Sequence, residues 1–505
     1  MSINQDSTNQ IWVRRFFILL GLVLVWRIIY IALVPLDLTP DESYYWDWSR
    51  RLDWGYFSKP PMVAWINALS TGLLGNHTFV VRLPAAVLSC VAVLGVFLLG
   101  RAMFDARTGF WAAALSLAGP GSAALGFIMT IDAPLMACWS MGLYFLWRSI
   151  QADRSMSGWS LLLGLTMGLG ILSKEMMLTF PLIMILTLLV TPGLRRNLAR
   201  PWPWMAAAMA VAMITPTILW NLRQGWITAT HSASHISSPS GNFFDFLVTF
   251  PEFMGSQLLI ISPLTFFLYA VLAVSMVMGF RNLAPDQRFL FMFSVPALAV
   301  FTLLSFHQGI NPNWPAVFYP SGMILLAAWG CAGFGSRPGV DGLRRFFIPA
   351  VKVGAGFAVL TYALPLLIQI LSLTGTGIDP TSRLQGWKEL GGNADQIMRA
   401  VPRPDKTLII AAERRQLPSS LAFYMDGQPM VYRWTSSDRI SSQYELWPGP
   451  VDRIGWDALI AMRADSGFPG ELRDNFEKVV FLDNIGHASG RDYKMYLGLN
   501  LLRWE

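Results

Sequence analysis

The chain has 505 residues, 54% hydrophobic and only 14% charged, where a soluble protein carries about a quarter charged residues. Water is therefore excluded as the main solvent for most of it. The net charge of +7 does not point to nucleic acid, because the excess Arg and Lys lie in short segments between apolar runs, where a bilayer accounts for them.

In chain order, Arg14 and Arg15 precede an apolar run from Phe16 to Val34. This run is longer than a signal-peptide core and lacks a small-residue cleavage site, so it reads as a retained first helix. Further stretches long enough to cross about 30 Å of hydrocarbon fall at residues 79–100, 108–128, 132–150, 158–172, 176–192, 203–220, 256–279, 288–306, 315–334 and 347–373. With the first helix, that makes about eleven crossings. The two stretches around Leu165 and Ile185 are short, which suits tilted spans or a partly re-entrant one. Cys90, Cys138 and Cys331 all lie inside apolar segments and read as small buried hydrophobes.

Near Thr374 the composition becomes that of an ordinary soluble domain. The expected organisation is a polytopic α-helical membrane domain over 1–374 and a soluble α/β domain over 375–505. In the latter, β-like runs at Thr407–Ala411, Met430–Trp434, Ala458–Met462, Lys478–Leu482 and Tyr493–Leu502 alternate with helix-like stretches such as Trp387–Ala400 and Pro418–Met425.

With the N-terminus in the cytoplasm, inside segments before residue 374 hold fifteen Arg and Lys and outside loops only six, the sense of the positive-inside rule. An odd number of crossings then places the C-terminal domain outside. Asp41, Glu42, Lys59, Asp132, Lys174, Glu175, Arg223, His231, His235 and Glu252 all fall on that outer face. Ionisable groups at a membrane boundary are costly unless they face a cavity, so a one-sided cluster marks a candidate site.

Read singly, these residues leave alternatives open. Asp41 and Glu42 are either solvated loop charges or carboxylates able to accept a proton from a hydroxyl. Lys59, held extended by Pro60 and Pro61, is a loop cation or a phosphate ligand. Asp132 suits a helix N-cap, Lys174 a snorkelling cation, and both also suit substrate contact. His231 and His235, spaced i, i+4, could share a helical face as metal ligands or contact substrate or water. The segment Gln224–Pro251 is long for an inter-span loop and is expected to be mobile and to fold over a bound donor.

Taken in order, Asp41-Glu42 after the first span, Tyr56-Phe57-x-Lys59-Pro60-Pro61, Thr130-x-Asp132-Ala133-Pro134 and Leu172-Ser173-Lys174 resemble the polyprenyl-phosphate-sugar-dependent glycosyltransferases. That group takes in protein O-mannosyltransferases and bacterial aminoarabinose transferases that modify lipid A. Asn313-Trp314-Pro315 and Arg383-Leu384-x-Gly386-Trp387 resemble later signatures of the bacterial branch.

The resemblance implies a GT-C fold in a multi-pass bacterial inner-membrane protein with a periplasmic C-terminal domain. It also implies a sugar donor on an undecaprenyl-type phosphate and inverting transfer to a glycolipid or glycan acceptor such as lipid A or core oligosaccharide. It makes Asp41 the general base with Glu42 shaping or assisting it, Asp132 the second acidic position of the catalytic set, which orients the acceptor or the base, and Lys59, Lys174 and Arg223 contacts to the donor phosphate. The aminoarabinose branch has an acid immediately before the loop lysine, where this chain has Ser58. No cofactor or metal is therefore expected to be required, although a divalent ion is compatible with a phosphate donor. The sequence has no glycine-rich nucleotide cradle. The rival readings are a transporter or flippase of lipid-linked sugars, and a lipid-linked glycan polymerase or ligase.

Overall fold

The computed structural model of the chain describes residues 2–152, 157–236, 245–333, 337, 339–377, 379–486 and 492–504. Among the described residues, each apolar stretch singled out above is largely helical, although 108–128 is divided into Ala106–Ala118 and Pro120–Leu125, and 288–306 into Pro285–Met292 and Val295–Leu304. Among the described residues, five helices are long and apolar enough to cross a membrane: Ser7–Leu33, Thr78–Met103, Pro201–Arg223, Pro285–Leu304 and Asp341–Ile370. Gly158–Ser173 and Glu175–Val190 are the short apolar helices the sequence leads one to expect, and Met62–Leu74 is a third that it does not.

The stretch 256–279, expected as one span, is instead part of a bent pair. Phe246–Ile261 and Pro263–Met278 meet at 107°. Ser262 at the break has φ +74°, a left-handed conformation that ends a helix. Pro263 then opens the next helix at the position where its missing N–H costs nothing. The expected loop 224–251 is also partly ordered differently: Ile227–Ile236 is helical, and residues 237–244 lie outside the described ones.

Two compact units emerge. The first comprises Met1–Ile31, Arg82–Trp226 and Ser232–Tyr362; the second comprises Ala32–Val81, Ile227–His231 and Ala363–Glu505. The unit that holds the C-terminal sheet thus also takes in residues 32–81, the segment after the first apolar run.

In the first unit, helices approach through small residues. A Cβ on Gly95 would lie 2.8 Å from the Ser140 carbonyl oxygen, and one on Gly100 would lie 2.9 Å from the Gly109 Cα. Only glycine permits backbones to come this near, which is how apolar helices pack without a hydrophobic driving force between them. Trp139 is fully buried and meets Phe180 and Phe318 edge-on at 5.1 and 5.2 Å between centroids.

Arg27, a basic residue deep in the first apolar run, is 1% exposed. Its guanidinium donates to Ser89 Oγ at 2.7 Å, the Ser122 carbonyl at 2.8 Å and Tyr362 Oη at 3.2 Å. A cation so thoroughly bonded ties helices together.

In the second unit, five strands among the described residues form one sheet: β1 (Thr407–Ala411), β2 (Val431–Arg433), β3 (Asp457–Arg463), β4 (Phe476–Ile485) and β5 (Tyr493–Leu501). Their order is β2-β1-β3-β5-β4. β1 runs parallel to both β2 and β3, and β5 runs antiparallel to β3 and β4. Leu408, Ile410, Ala458, Ile460, Phe476 and Leu501 form its core. β1 reads Leu-Ile-Ile-Ala without polar interruption and is buried along its length after Thr407, as a central parallel strand must be. Each strand coincides with a β-like run of the sequence, and Trp387–Ala400 is helical over the expected residues.

Candidate active site

In the second unit the acidic pair opens a helix, Pro40–Ser49. Thr39 is its N-cap, accepting from the Glu42 N–H at 3.2 Å, while Glu42 Oε2 accepts from the Thr39 N–H at 2.8 Å. This reciprocal capping box satisfies two backbone donors that a helix start leaves open. Glu42 is fully buried in this motif. Asp41 stays half exposed at the first turn, its carboxylate 2.9 Å from Arg415.

Arg415 follows β1 and precedes the helix Gln416–Tyr424, and its guanidinium also lies 4.8 Å over the Tyr44 ring. Burial favours its neutral form, but the charges of Asp41, Tyr44 and Tyr45 outweigh that and raise its pKa.

One helical turn on, Asp47 is buried. It accepts from Tyr444 Oη at 2.7 Å and from Arg50 at 3.2 Å. Tyr44 Oη accepts the Gln443 N–H at 2.6 Å, and Gln443 Oε1 accepts the Phe57 N–H at 2.7 Å. Helix and loop are thus pinned to the turn around Gln443. Burial pushes the Tyr44 hydroxyl up to about 12, and burial together with the Asp47 charge raises Tyr444 well above its ordinary value.

Burial also lifts the Asp47 carboxyl above its usual range against the pull of Arg50 and Tyr444. A carboxyl with a raised folded-state pKa contributes stability that is full below about pH 4 and is lost as pH rises through the raised value. Asp47→Asn, which keeps an acceptor for Tyr444, is expected to flatten that part of the melting-temperature curve. Identical pH slopes for native and variant protein would refute the assignment.

The first unit holds the second cluster. Asp132 begins the helix Asp132–Gln151, but its side chain caps nothing, so the N-cap alternative is not what the structure shows. Its Oδ1 lies 2.8 Å from Lys174 Nζ and its Oδ2 accepts from Asn313 Nδ2 at 2.7 Å. Lys174 ends the helix Gly158–Ser173 in an extended conformation. Its side chain is 9% exposed, so it is a buried partner and no snorkelling cation. Asp132 and Asn313 lie on the wall of a cavity of about 330 Å³ whose remaining lining is largely apolar, including Val93, Leu115, Ile260 and Met323. A small polar end and an apolar body suit an amphiphile.

Residues 58–220 match the family described as dolichyl-phosphate-mannose-protein mannosyltransferase. The structures of ArnT from Cupriavidus metallidurans, apo and bound to undecaprenyl phosphate, superpose with TM-scores of 0.64 and 0.63 at 17% and 19% identity. They cover 96% of this chain and 98% of theirs. The likeness shows a fold shared with ArnT over nearly the whole chain. Among curated relatives, a lipid A galacturonosyltransferase of Rhizobium johnstonii is 29% identical over 62% of this chain. An undecaprenyl phosphate-alpha-4-amino-4-deoxy-L-arabinose arabinosyl transferase of Edwardsiella ictaluri is 27% identical over 36%. The chain spans 64% of the length of the first and 35% of the second.

The remaining candidate residues are spread out. Lys59 is half buried in the second unit, where its carbonyl accepts the Tyr56 N–H at 3.1 Å. The His231 ring lies 4.6 Å from that of Phe57, whereas the His235 side chain falls outside the described residues. Arg223 ends the helix Pro201–Arg223, exposed. Glu175 accepts from Ser232 Oγ at 3.2 Å. Among the described residues, no group of three or more His, Cys, Asp or Glu is placed to hold a metal ion.

Sequence reasoning missed Arg415, Gln443 and Tyr444. The only signal was the Arg414-Arg415 pair three residues past an apolar β run, and nothing local names a partner hundreds of residues away.

Proposed function

We propose that the chain is an inverting glycosyltransferase that moves a single sugar from an undecaprenyl-phosphate-type donor to a glycolipid or glycan acceptor, lipid A and core oligosaccharide among them. The observation that carries this reading is the pair Asp132 and Asn313 on the wall of an apolar cavity, with Lys174 bonded to Asp132. A lipid phosphate has the same division into a charged head and a greasy tail. The names of the curated relatives, a lipid A transferase and an undecaprenyl-phosphate-sugar transferase, support donor and acceptor class.

In this reading Asp41 takes the proton of the acceptor hydroxyl as that oxygen attacks the anomeric carbon from the face opposite the phosphate. The bond from carbon to phosphate oxygen breaks, the electron pair leaves with the lipid phosphate, and one displacement inverts the centre. Lys174 donates one N–H to Asp132 and has two more to offer a phosphate oxygen, and Lys59 and Arg223 supply further positive charge. Asp132 orients Lys174 or the acceptor. Positive charge from the protein serves the leaving phosphate in this scheme, and a metal is not required by it. His231 and His235 are then substrate contacts.

The membrane arrangement is part of the proposal: about eleven crossings, a membrane domain over 1–374, a periplasmic α/β domain over 375–505, a cytoplasmic N-terminus, and a site at the outer face of a bacterial inner membrane. The largely helical character of the apolar stretches and the one-sided charge bias support it.

The test is transfer of labelled sugar from membranes containing undecaprenyl-phosphate-linked sugars to extracted glycolipid. Label is expected on the glycolipid only when the protein is present. Movement of intact lipid-linked sugar between leaflets without transfer would replace this reading with transport.

A further inference from the structure

The carboxyl ends of β1 and β3 open onto a second cavity, of about 570 Å³, that the scheme above does not use. Its lining includes Arg383, Glu413, Arg414, Gln416, Arg463 and Asp465. The position follows from the topology. β1 sits between β2 and β3, parallel to both, so the chain leaves β1 towards one side and returns on the other. Such a reversal of strand order leaves a crevice at the carboxyl ends, the place where open α/β sheets take ligands.

The charge in the crevice is unbalanced. Asp465 is occupied by Arg463 at 2.6 Å, and Glu413 Oε1 accepts the Arg414 N–H at 3.0 Å. The guanidiniums of Arg383 and Arg414 have no partner among the described residues. Two free planar forks on one cavity wall match the paired oxygens of a phosphate or carboxylate. The helix Gln416–Tyr424, which has no side-chain cap, contributes its first two residues to the lining, adding its positive end.

We propose that this cavity binds an anionic group carried on a sugar, a phosphate monoester or a carboxylate, and that the sugar belongs to the acceptor. The second half of that statement rests on the glycosyltransferase reading. The loop after β1 presents Arg414 to the cavity and, one residue later, Arg415 to Asp41. An acceptor held by its anion is therefore held on the same short loop that fixes the candidate base.

Glucose 1-phosphate, inorganic phosphate and glucose are titrated separately against the full chain in detergent. Glucose 1-phosphate is expected to bind saturably and glucose not to bind. The double variant Arg383→Gln/Arg414→Gln is expected to bind the sugar phosphate about tenfold or more weakly, as loss of charge-assisted contacts implies, with an unchanged melting temperature because both side chains are exposed.

Absence of saturable binding to native protein, or equal binding by the variant, overturns the site. Inorganic phosphate binding as tightly as the sugar phosphate makes free phosphate the ligand and overturns the acceptor assignment.

In the transfer assay the same variant is expected to raise the KM for a phosphorylated acceptor about tenfold, leaving kcat, donor KM and transfer to a dephosphorylated acceptor as they were. A native protein that transfers no sugar would remove the glycosyltransferase reading, while the binding titration would still decide the cavity.

Discussion

Asp41→Asn is expected to slow sugar transfer at least about a hundredfold, the lower end of what a positioned general base contributes, at unchanged expression and melting temperature. Asparagine keeps the shape of the side chain and can still accept from Arg415, so the helix start is not disturbed. What it loses is the capacity to take a proton.

Glu42→Gln is the informative control, since glutamine also completes a capping box and Glu42 is sealed in that motif. Near-native transfer is expected from it. If Glu42→Gln were the inactive variant and Asp41→Asn the active one, the base would have to be reassigned to the buried acid.

Lys174→Met should abolish transfer and also destabilise the protein. Asp132 would be left with Asn313 as its neutral partner in a site where its side chain is only 14% exposed, and breaking one side of a buried ion pair costs about 3–5 kcal/mol. Replacing both partners, Lys174→Met with Asp132→Leu, removes the orphaned charge and is expected to recover most of the lost melting temperature without recovering transfer. The two readouts separate what the pair does for the fold from what Lys174 does for a phosphate. Recovery of transfer in the double variant would show that neither residue takes part in the chemistry.

Much of the fold was legible because its signals are local. An apolar run of helical length has few alternatives in a bilayer, and the runs Leu408–Ala411 and Ala458–Met462 are too short and too β-branched or apolar for anything but buried strands. The bend at Ser262 was not legible, since nothing in Ile261-Ser262-Pro263 distinguishes a turn of 107° from a gentle proline kink. The inclusion of residues 32–81 with the C-terminal sheet was not legible either.

For the site, motif order named Asp132 and Lys174 but gave them different tasks. Only the three-dimensional arrangement places them 2.8 Å apart. Arg415 is the clearest omission: its partners Asp41 and Tyr44 lie at the other end of the chain, and no periodicity records such a contact.

The ties between the Pro40–Ser49 helix and the turn at Gln443 and Tyr444 have a temporal consequence. They join residues 399 and 397 positions apart, and a ribosome adding about 5–20 residues per second needs on the order of 20 to 80 s to cover that distance. Throughout that interval the nascent chain carries Tyr44 and Asp47 without the turn that later bonds them, and Asp41 without Arg415. The candidate base is therefore assembled late in translation, and a prematurely terminated product would expose an aromatic helix to proteolytic quality control instead of persisting as a partly active protein.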